Sequence, residues 1–323
     1  GASGGPKWLI LSELDQVLAE TLLSDREKPI TLLGSSIGTW RHACLSQSDP
    51  IKAIQRLQKG YLYQSYTQRK PSAEEVSRIS EDMLKNALGH LGPYNIVNHP
   101  TLFNAIVTAR AKTIVSGGSK APVIFGMGLA TIANAINRNF LRYFFQRVTF
   151  CHAQLNAAPF SAGFESIYIP ISEKNVISAL KASSAIPLLM DCERSITGAP
   201  SGPYWDGGII DYHFTLDAQV KSGLVLYPHF CNRLTPGWFD KKIWWRNSEI
   251  PSMQNLVLLC PSELFLNSLP HRKIPDRGDF QTMPPEERIR YWEVCVRESQ
   301  RLAEDFHSLI SSDNPLDGVT VLT

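Results

Sequence analysis

The 323-residue chain is short of the patterns that announce several common chemistries. None of its six cysteines, Cys44, Cys151, Cys192, Cys231, Cys260 and Cys295, belongs to a C-x-x-C pair, which argues against a zinc ribbon or a thioredoxin-type site. They are also too sparse for a small disulfide scaffold, so reduced thiols are the simplest account. There is no H-E-x-x-H pair and no calcium loop of the D-x-[DN]-x-[DN]-G type, so no metal is expected. Neither G-x-x-x-x-G-K-[ST] nor G-x-G-x-x-G occurs, which removes the usual phosphate-loop and dinucleotide readings, and no cofactor is expected. Charge of one sign is lacking too. Lys+Arg number 32 against Asp+Glu 30, a net +2, too even to gather nucleic acid. Long lipid-compatible runs are absent. The most apolar stretch, residues 121–148, is interrupted by Asn134, Asn137, Arg138, Asn139, Arg142 and Arg147. No signal peptide opens the chain. It begins without Met on Gly1-Ala2-Ser3-Gly4-Gly5, a loop sequence, so residues upstream are expected. The reading is a cytoplasmic or peripheral membrane protein, with secretion left open.

What is present suits one ordered domain, residues 1–323. At 43% hydrophobic and 19% charged the chain can bury a large core. No repeat, low-complexity tract or clear linker divides it. Helical periodicity covers residues 7–23, a short apolar run covers 29–33, and a turn at 34–38 leads into a helix at 39–45. Asp49-Pro50 and Ser72 with Glu75 are helix starts, and Gly89 is a stop. These helices predict a cap or insertion at about 50–100. Strands are expected at 103–109, 148–152, 166–171, 223–227 and 255–260, and helices at 130–145, 173–182 and 285–311. Strands alternating with helices predict an α/β fold with a mostly parallel central sheet.

Three short segments carry chemistry. Gly34-x-Ser36-x-Gly38 lies between a predicted strand and a helix. A sharp turn there holds a serine Oγ clear of the sheet, and the glycines let strand and helix approach closely. The helix N-terminus then favours developing negative charge. Ser3-Gly4-Gly5-Pro6-Lys7 precedes a helix. Its amides can face an anion, either a phosphate or the oxyanion of acyl transfer, or the segment can be a plain turn. Tyr204-Trp205-Asp206-Gly207-Gly208 offers a carboxylate whose following glycines allow close backbone approach. Alone it also reads as a turn aspartate.

With Ala182-Ser183-Ser184-Ala185-Ile186-Pro187 added, the sequence resembles the patatin-like phospholipases, a family of lipid acyl hydrolases. The glycine loop with its basic Lys7, the Gly34–Gly38 turn, the Ala182–Pro187 stretch and Asp206-Gly207-Gly208 fall in the family's order. The resemblance spans the chain to position 208, and residues 215–323 carry no recognised motif. It implies a three-layer α/β/α patatin-like core with a helical insertion, and a Ser–Asp dyad without a catalytic histidine. Carried over, Ser36 is the nucleophile, Asp206 the general base, and the amides of Gly4 and Gly5 belong to the oxyanion hole. Ser35, Ile37, Gly207, Gly208 and His213 are further residues expected to line the site. Ser3 stands where the family commonly has a third glycine, and Trp8 where it often has another.

The partner so implied is a lipid or other ester substrate. Trp238, Phe239, Trp244 and Trp245 interleave with Lys241, Lys242 and Arg246, a composition that suits either a membrane interface or aromatics buried under a loop. Arg41, just past the elbow, reads as a solvated helix-surface residue or as a contact to a phosphate head group. Two alternatives stand beside the dyad: a Ser-His-Asp carboxylesterase, which needs a histidine after the acid, and a catalytically silent lipid- or partner-binding protein on the same fold.

Overall fold

In the computed structural model the described residues are 1–112, 115, 120–155, 164–214, 223–243, 245–246, 255–315 and 317–320. The chain enters through a 3-10 turn, Gly5–Leu11, that runs into α1 (Ser12–Glu20). Strand β1 (Ile30–Ser35) leads to α2 (Ile37–Leu45). Three helices follow, α3 (Pro50–Tyr63), α4 (Ala73–Leu88) and α5 (Gly92–Val97), before β2 (Leu102–Ala111). Then come α6 (Lys120–Ile136), β3 (Phe145–Cys151), β4 (Ser166–Pro170), α7 (Val176–Ser184) and β5 (Tyr204–Asp206). The remainder holds β6 (Val225–Pro228), β7 (Leu256–Leu259), α8 (Glu263–Ser268), α9 (Asp279–Thr282) and the long α10 (Pro285–Ile310).

Helices flank the sheets in a three-layer α/β/α arrangement in which three of the five strand pairings are parallel. The β1–β2, β3–β4 and β6–β7 pairings are parallel, while β2 meets β3 and β5 antiparallel. Strands β6 and β7 form their own two-stranded sheet. β2 is the centre of the larger sheet and is almost wholly buried, as a strand covered on both faces must be. Its residues 105–111 pair with β3 along one edge. Along the other edge, residues 102–107 pair with β1 and 108–110 with β5. β1 and β5 therefore share one edge end to end and run toward each other. Ser35 lies opposite Val107 and Asp206 opposite Thr108. This register brings the end of β1 to the end of β5.

Local signals explain the helix starts. Asp49 accepts from the Lys52 amide at 3.0 Å with Pro50 at the first helical position, and Ser72 accepts from the Glu75 amide at 3.1 Å. The Glu75 carboxylate turns to Thr67 instead of completing a reciprocal box with Ser72. Gly89, at φ 70°, ends α4. Inserted between β1 and β2, α3 and α4 do not stand apart as a cap, because Ile54, Leu57 and Leu84 belong to the same buried cluster as Trp8, Ile106 and Trp292. The helix expected at 130–145 lies earlier. α6 ends at Ile136, the Asn137 side chain accepts from the Asn139 amide at 2.9 Å, and Phe145 already belongs to β3. All six cysteines are free thiols. No described helix is long and apolar enough to cross a membrane.

Candidate active site

Ser36 sits between β1 and α2 at φ 54° and ψ −129°. A non-glycine residue in that region is strained by roughly 1–3 kcal/mol, which packing around it must offset. Gly34 permits the turn. A Cβ there would lie 2.8 Å from the Thr39 backbone nitrogen. The Ser36 amide donates to Ser183 Oγ at 3.0 Å, and Ser183 Oγ donates onward to the Val107 carbonyl at 2.6 Å. The Ala182–Pro187 stretch thus acts as a clamp on the elbow. Its Ala185 carbonyl also accepts from the Asp206 amide at 2.8 Å, fixing the second functional residue.

Ser36 Oγ donates to Asp206 Oδ2 at 2.7 Å, and Asp206 Oδ1 accepts from the Gly208 amide at 2.7 Å. Both residues are buried. Burial pushes the Asp206 carboxyl above its ordinary value of 3.8, partly countered by the Ser36 hydroxyl, the Gly208 amide, Arg277 and Lys241. That shift moves the carboxylate toward usefulness as a base.

A cleft of about 160 Å³ collects Ser36, Asp206, Gly4, Gly5 and Gly208. The glycine loop is tied to the elbow through Ser3, whose Oγ donates to Ser35 Oγ at 3.0 Å and whose amide donates to the Tyr212 carbonyl at 3.0 Å. Ser3 therefore fastens the loop to the elbow. Gly5 has φ 55°, and a Cβ there would lie 2.9 Å from Arg277 Nη2.

The other expected lining residues stand back from the cleft. The Ser35 side chain accepts from Ser3, and Ile37 packs in the larger core cluster. Gly207 lies flat on β2, where a Cβ would come 2.3 Å from the Val107 carbonyl oxygen. His213 is buried behind Tyr212, stacked on it at 4.5 Å and edge-on to His229 at 4.2 Å. Its Nδ1 accepts from the Thr235 amide at 2.8 Å, and burial followed by the neighbouring His229 pushes its pKa well below 6.5. Arg41 is buried in a two-point pair with Asp15, at 2.7 and 2.6 Å, linking α2 to α1. It is neither solvated nor at the cleft.

Three cations line the cleft, and of these the catalytic motifs held only Lys7. Lys7 pairs with Asp276 at 3.6 Å. Lys241 lies 3.7 Å from the centre of the Tyr212 ring. Desolvation, then Lys7 and Arg277, pushes Lys241 down to about 8. Arg277 makes no side-chain hydrogen bond or ion pair among the described residues. Lys241 falls in the aromatic–cation segment, which the structure divides. Trp238 and Trp245 are exposed, Phe239 is buried, and Trp244 lies outside the described residues. Arg277 sits in the turn before α9, where sequence carries no signal for a site.

A second cavity, about 700 Å³, shares Gly5, Ser36 and Arg277 with the cleft. Its walls include Trp40, Val76, Leu189, Met190, Phe280 and Met283. The serine thus stands between a small cationic cleft and a large, mainly apolar chamber. Among the described residues no group of three or more His, Cys, Asp or Glu side chains could hold a metal ion. No protein-family model matches the sequence, and no curated protein matches it.

Proposed function

We propose that the protein is a serine acyl hydrolase of the patatin-like type, acting on carboxylic esters of lipids. The observation that carries this reading is the 2.7 Å hydrogen bond from Ser36 Oγ to Asp206 Oδ2 at a strained strand-to-helix turn. In the first half-reaction Asp206 takes the hydroxyl proton as Ser36 Oγ bonds to the acyl carbon. The Gly4 and Gly5 amides and the start of α2 stabilise the oxyanion. Asp206 then gives its proton to the alcohol oxygen as the ester bond breaks, leaving an acyl-serine. In the second half-reaction water replaces the alcohol and Asp206 again takes the proton. The fatty acid leaves as Ser36 is reprotonated.

The two cavities support an orientation for the substrate. The 700 Å³ chamber lies in the size range of pockets that enclose a ligand, and its aliphatic and aromatic walls suit an acyl chain. The alcohol portion then lies in the cleft with Lys7, Lys241 and Arg277. The Ser-His-Asp alternative lacks support at this site. The Asp206 oxygens are engaged by Ser36 itself and by the Gly208 amide, and His213 is turned to Thr235.

A fluorophosphonate probe tests the nucleophile. Wild type should gain one adduct mass mapping to Ser36, and Ser36→Ala should gain none and lose hydrolysis of a short p-nitrophenyl ester. Labelling of another residue, or turnover retained in the clean variant, would overturn the assignment.

A further inference from the structure

Helix α6 is apolar on its exposed side as well as on its buried one. No charged residue occurs between Ala121 and Ile136, where Thr131 and Asn134 are the polar side chains. Val123, Met127, Ala130 and Asn134 face inward and are buried. Ile124, Phe125, Leu129, Ile132 and Ile136 share the opposite side and are between 37% and 72% exposed. Their spacing of one, four, three and four residues makes a continuous stripe. An apolar patch of this kind marks an interaction surface, since an ordinary soluble helix carries charge on its outer face. At 17 residues the helix is about 25 Å long, and it is not one that crosses a bilayer. Lying in the plane of an interface is the geometry left to it.

This stripe is fastened to the catalytic mouth. Asn134 Nδ2 donates to Asp240 Oδ1 at 2.8 Å, and Arg246 donates both to Asp240 and to the Asn134 carbonyl. Asp240 belongs to the 3-10 turn Trp238–Lys242, whose Trp238 and Lys241 line the cleft. Just after α6, the Arg138 guanidinium donates to the Ile210 carbonyl, four residues beyond Asp206. The exposed charge at this face is mainly positive. The nearby acids Asp211 and Asp240 are buried and paired with Arg147, Arg138 and Arg246, and the half-buried Asp276 at the mouth pairs with Lys7. Lys120, Arg142, Lys241 and Lys242 are exposed at the ends of α6 and on the adjoining turn, and Trp238, Tyr143 and Trp245 present exposed aromatic rings.

We propose that α6 and the Trp238–Lys242 turn form a docking face for an anionic lipid bilayer, with the apolar stripe entering the headgroup boundary and the lysines and arginine meeting lipid phosphates. Docking by this face holds the mouth of the cleft at the surface where lipid esters reside. The choice of a bilayer as occupant rests in part on the hydrolase reading, whereas the exposure and charge of the face do not.

The test is flotation of the Ser36→Ala protein with phosphatidylcholine vesicles and with vesicles containing 30% phosphatidylglycerol, so that no lipid is consumed. The expected result is capture by the anionic vesicles, weakened at least tenfold by Phe125→Asp with Ile132→Asp and weakened also by salt. In an otherwise wild-type background the same double variant should keep its melting temperature and its rate on a soluble ester. Wild-type-like capture of the double variant, or no capture of the parent by anionic vesicles, would overturn the proposal. So would a dimer that the double variant converts to monomer without any vesicle binding, since the face would then join two copies. Loss of soluble-ester turnover in wild type with vesicle capture intact would count against the hydrolase reading alone.

Discussion

At the residue scale, Asp206 links activity to stability with opposite signs. Its folded pKa lies above the ordinary 3.8 because burial penalises the charged form. The dyad needs the carboxylate, so activity should rise as pH increases through that folded value. kcat/KM on a soluble ester should therefore show an acid limb above pH 3.8. Stability runs the other way. Below pH 3.8 the protonated group costs the fold nothing, and as pH rises through the folded value the chain must bury a charge that the unfolded state solvates freely. Asparagine carries no charge, and its side-chain oxygen can still accept from the Gly208 amide. Asp206→Asn should thus abolish turnover yet melt no lower than wild type at pH 7, and it should lack the wild-type decline in melting temperature across the window. A marked loss of stability at pH 7 would show that the carboxylate is a structural charge. The residue types of this dyad were legible in sequence because the serine turn and Asp-Gly-Gly are local devices. That they meet was expected from the family resemblance and not from local pattern, because the meeting depends on Val107 and Thr108 being consecutive partners on β2.

At the element scale, glycine makes the clearest contrast. Gly207 must lie flat on the sheet, where a Cβ would come 2.3 Å from the Val107 carbonyl oxygen and 2.8 Å from Ser35 Oγ. Gly207→Ala should push β5 off β2, costing about 1–3 kcal/mol by overcrowding and moving Asp206 away from Ser36. Gly128, inside α6, faces open space, and a Cβ added there would meet nothing within 4 Å. Gly128→Ala should raise stability by roughly 0.5–1 kcal/mol, since alanine loses less freedom in a helix. Chemical denaturation of the two variants checks both signs, and equal effects would refute the account of Gly207. The Trp238–Arg246 segment shows why composition stops short of placement. Phe239 is 8% exposed and Trp245 57%, although neighbouring sequence treats the two alike. Phe239→Ala should cost ~3–5 kcal/mol and Trp245→Ala almost nothing. Thermal unfolding separates them. The same limit misplaced α6: its apolar run was visible, but the break at Asn137 depends on that side chain capping the next turn.

At the scale of the whole molecule, the last third of the chain, which carries no recognised motif, completes the site. Strand and helix order, the elbow and the carboxylate could be read from residues 1–208 because each depends on short-range patterning. Lys241 and Arg277 could not, because they come from distant turns that only the tertiary fold brings to Lys7 and Gly5. Their arrangement predicts a preference in the alcohol part of the substrate. Lys7 is already partnered by Asp276, whereas among the described residues Arg277 faces both cavities without an ion pair and Lys241 lies over the Tyr212 ring without one. An ester whose alcohol bears a phosphate would be met by these two cations, and a neutral ester of the same acyl chain would not. Lys241 sits at the rim of the cleft with its ammonium on the Tyr212 ring, so alone it should matter less than the pair. Arg277, at the junction of the cavities, should matter more. Arg277→Ala with Lys241→Ala should raise KM for the phosphate-bearing ester about tenfold, equivalent to ~1.4 kcal/mol, while leaving the neutral ester within twofold. Added salt should erode the wild-type preference and leave the variant unaffected. A parallel loss on both esters would instead mean that Arg277 supports the Gly5 loop. Arg277→Lys distinguishes the two roles further: it keeps the charge and should restore the phosphate preference, whereas a loop that needs the guanidinium packed on Gly5 would stay impaired on both substrates.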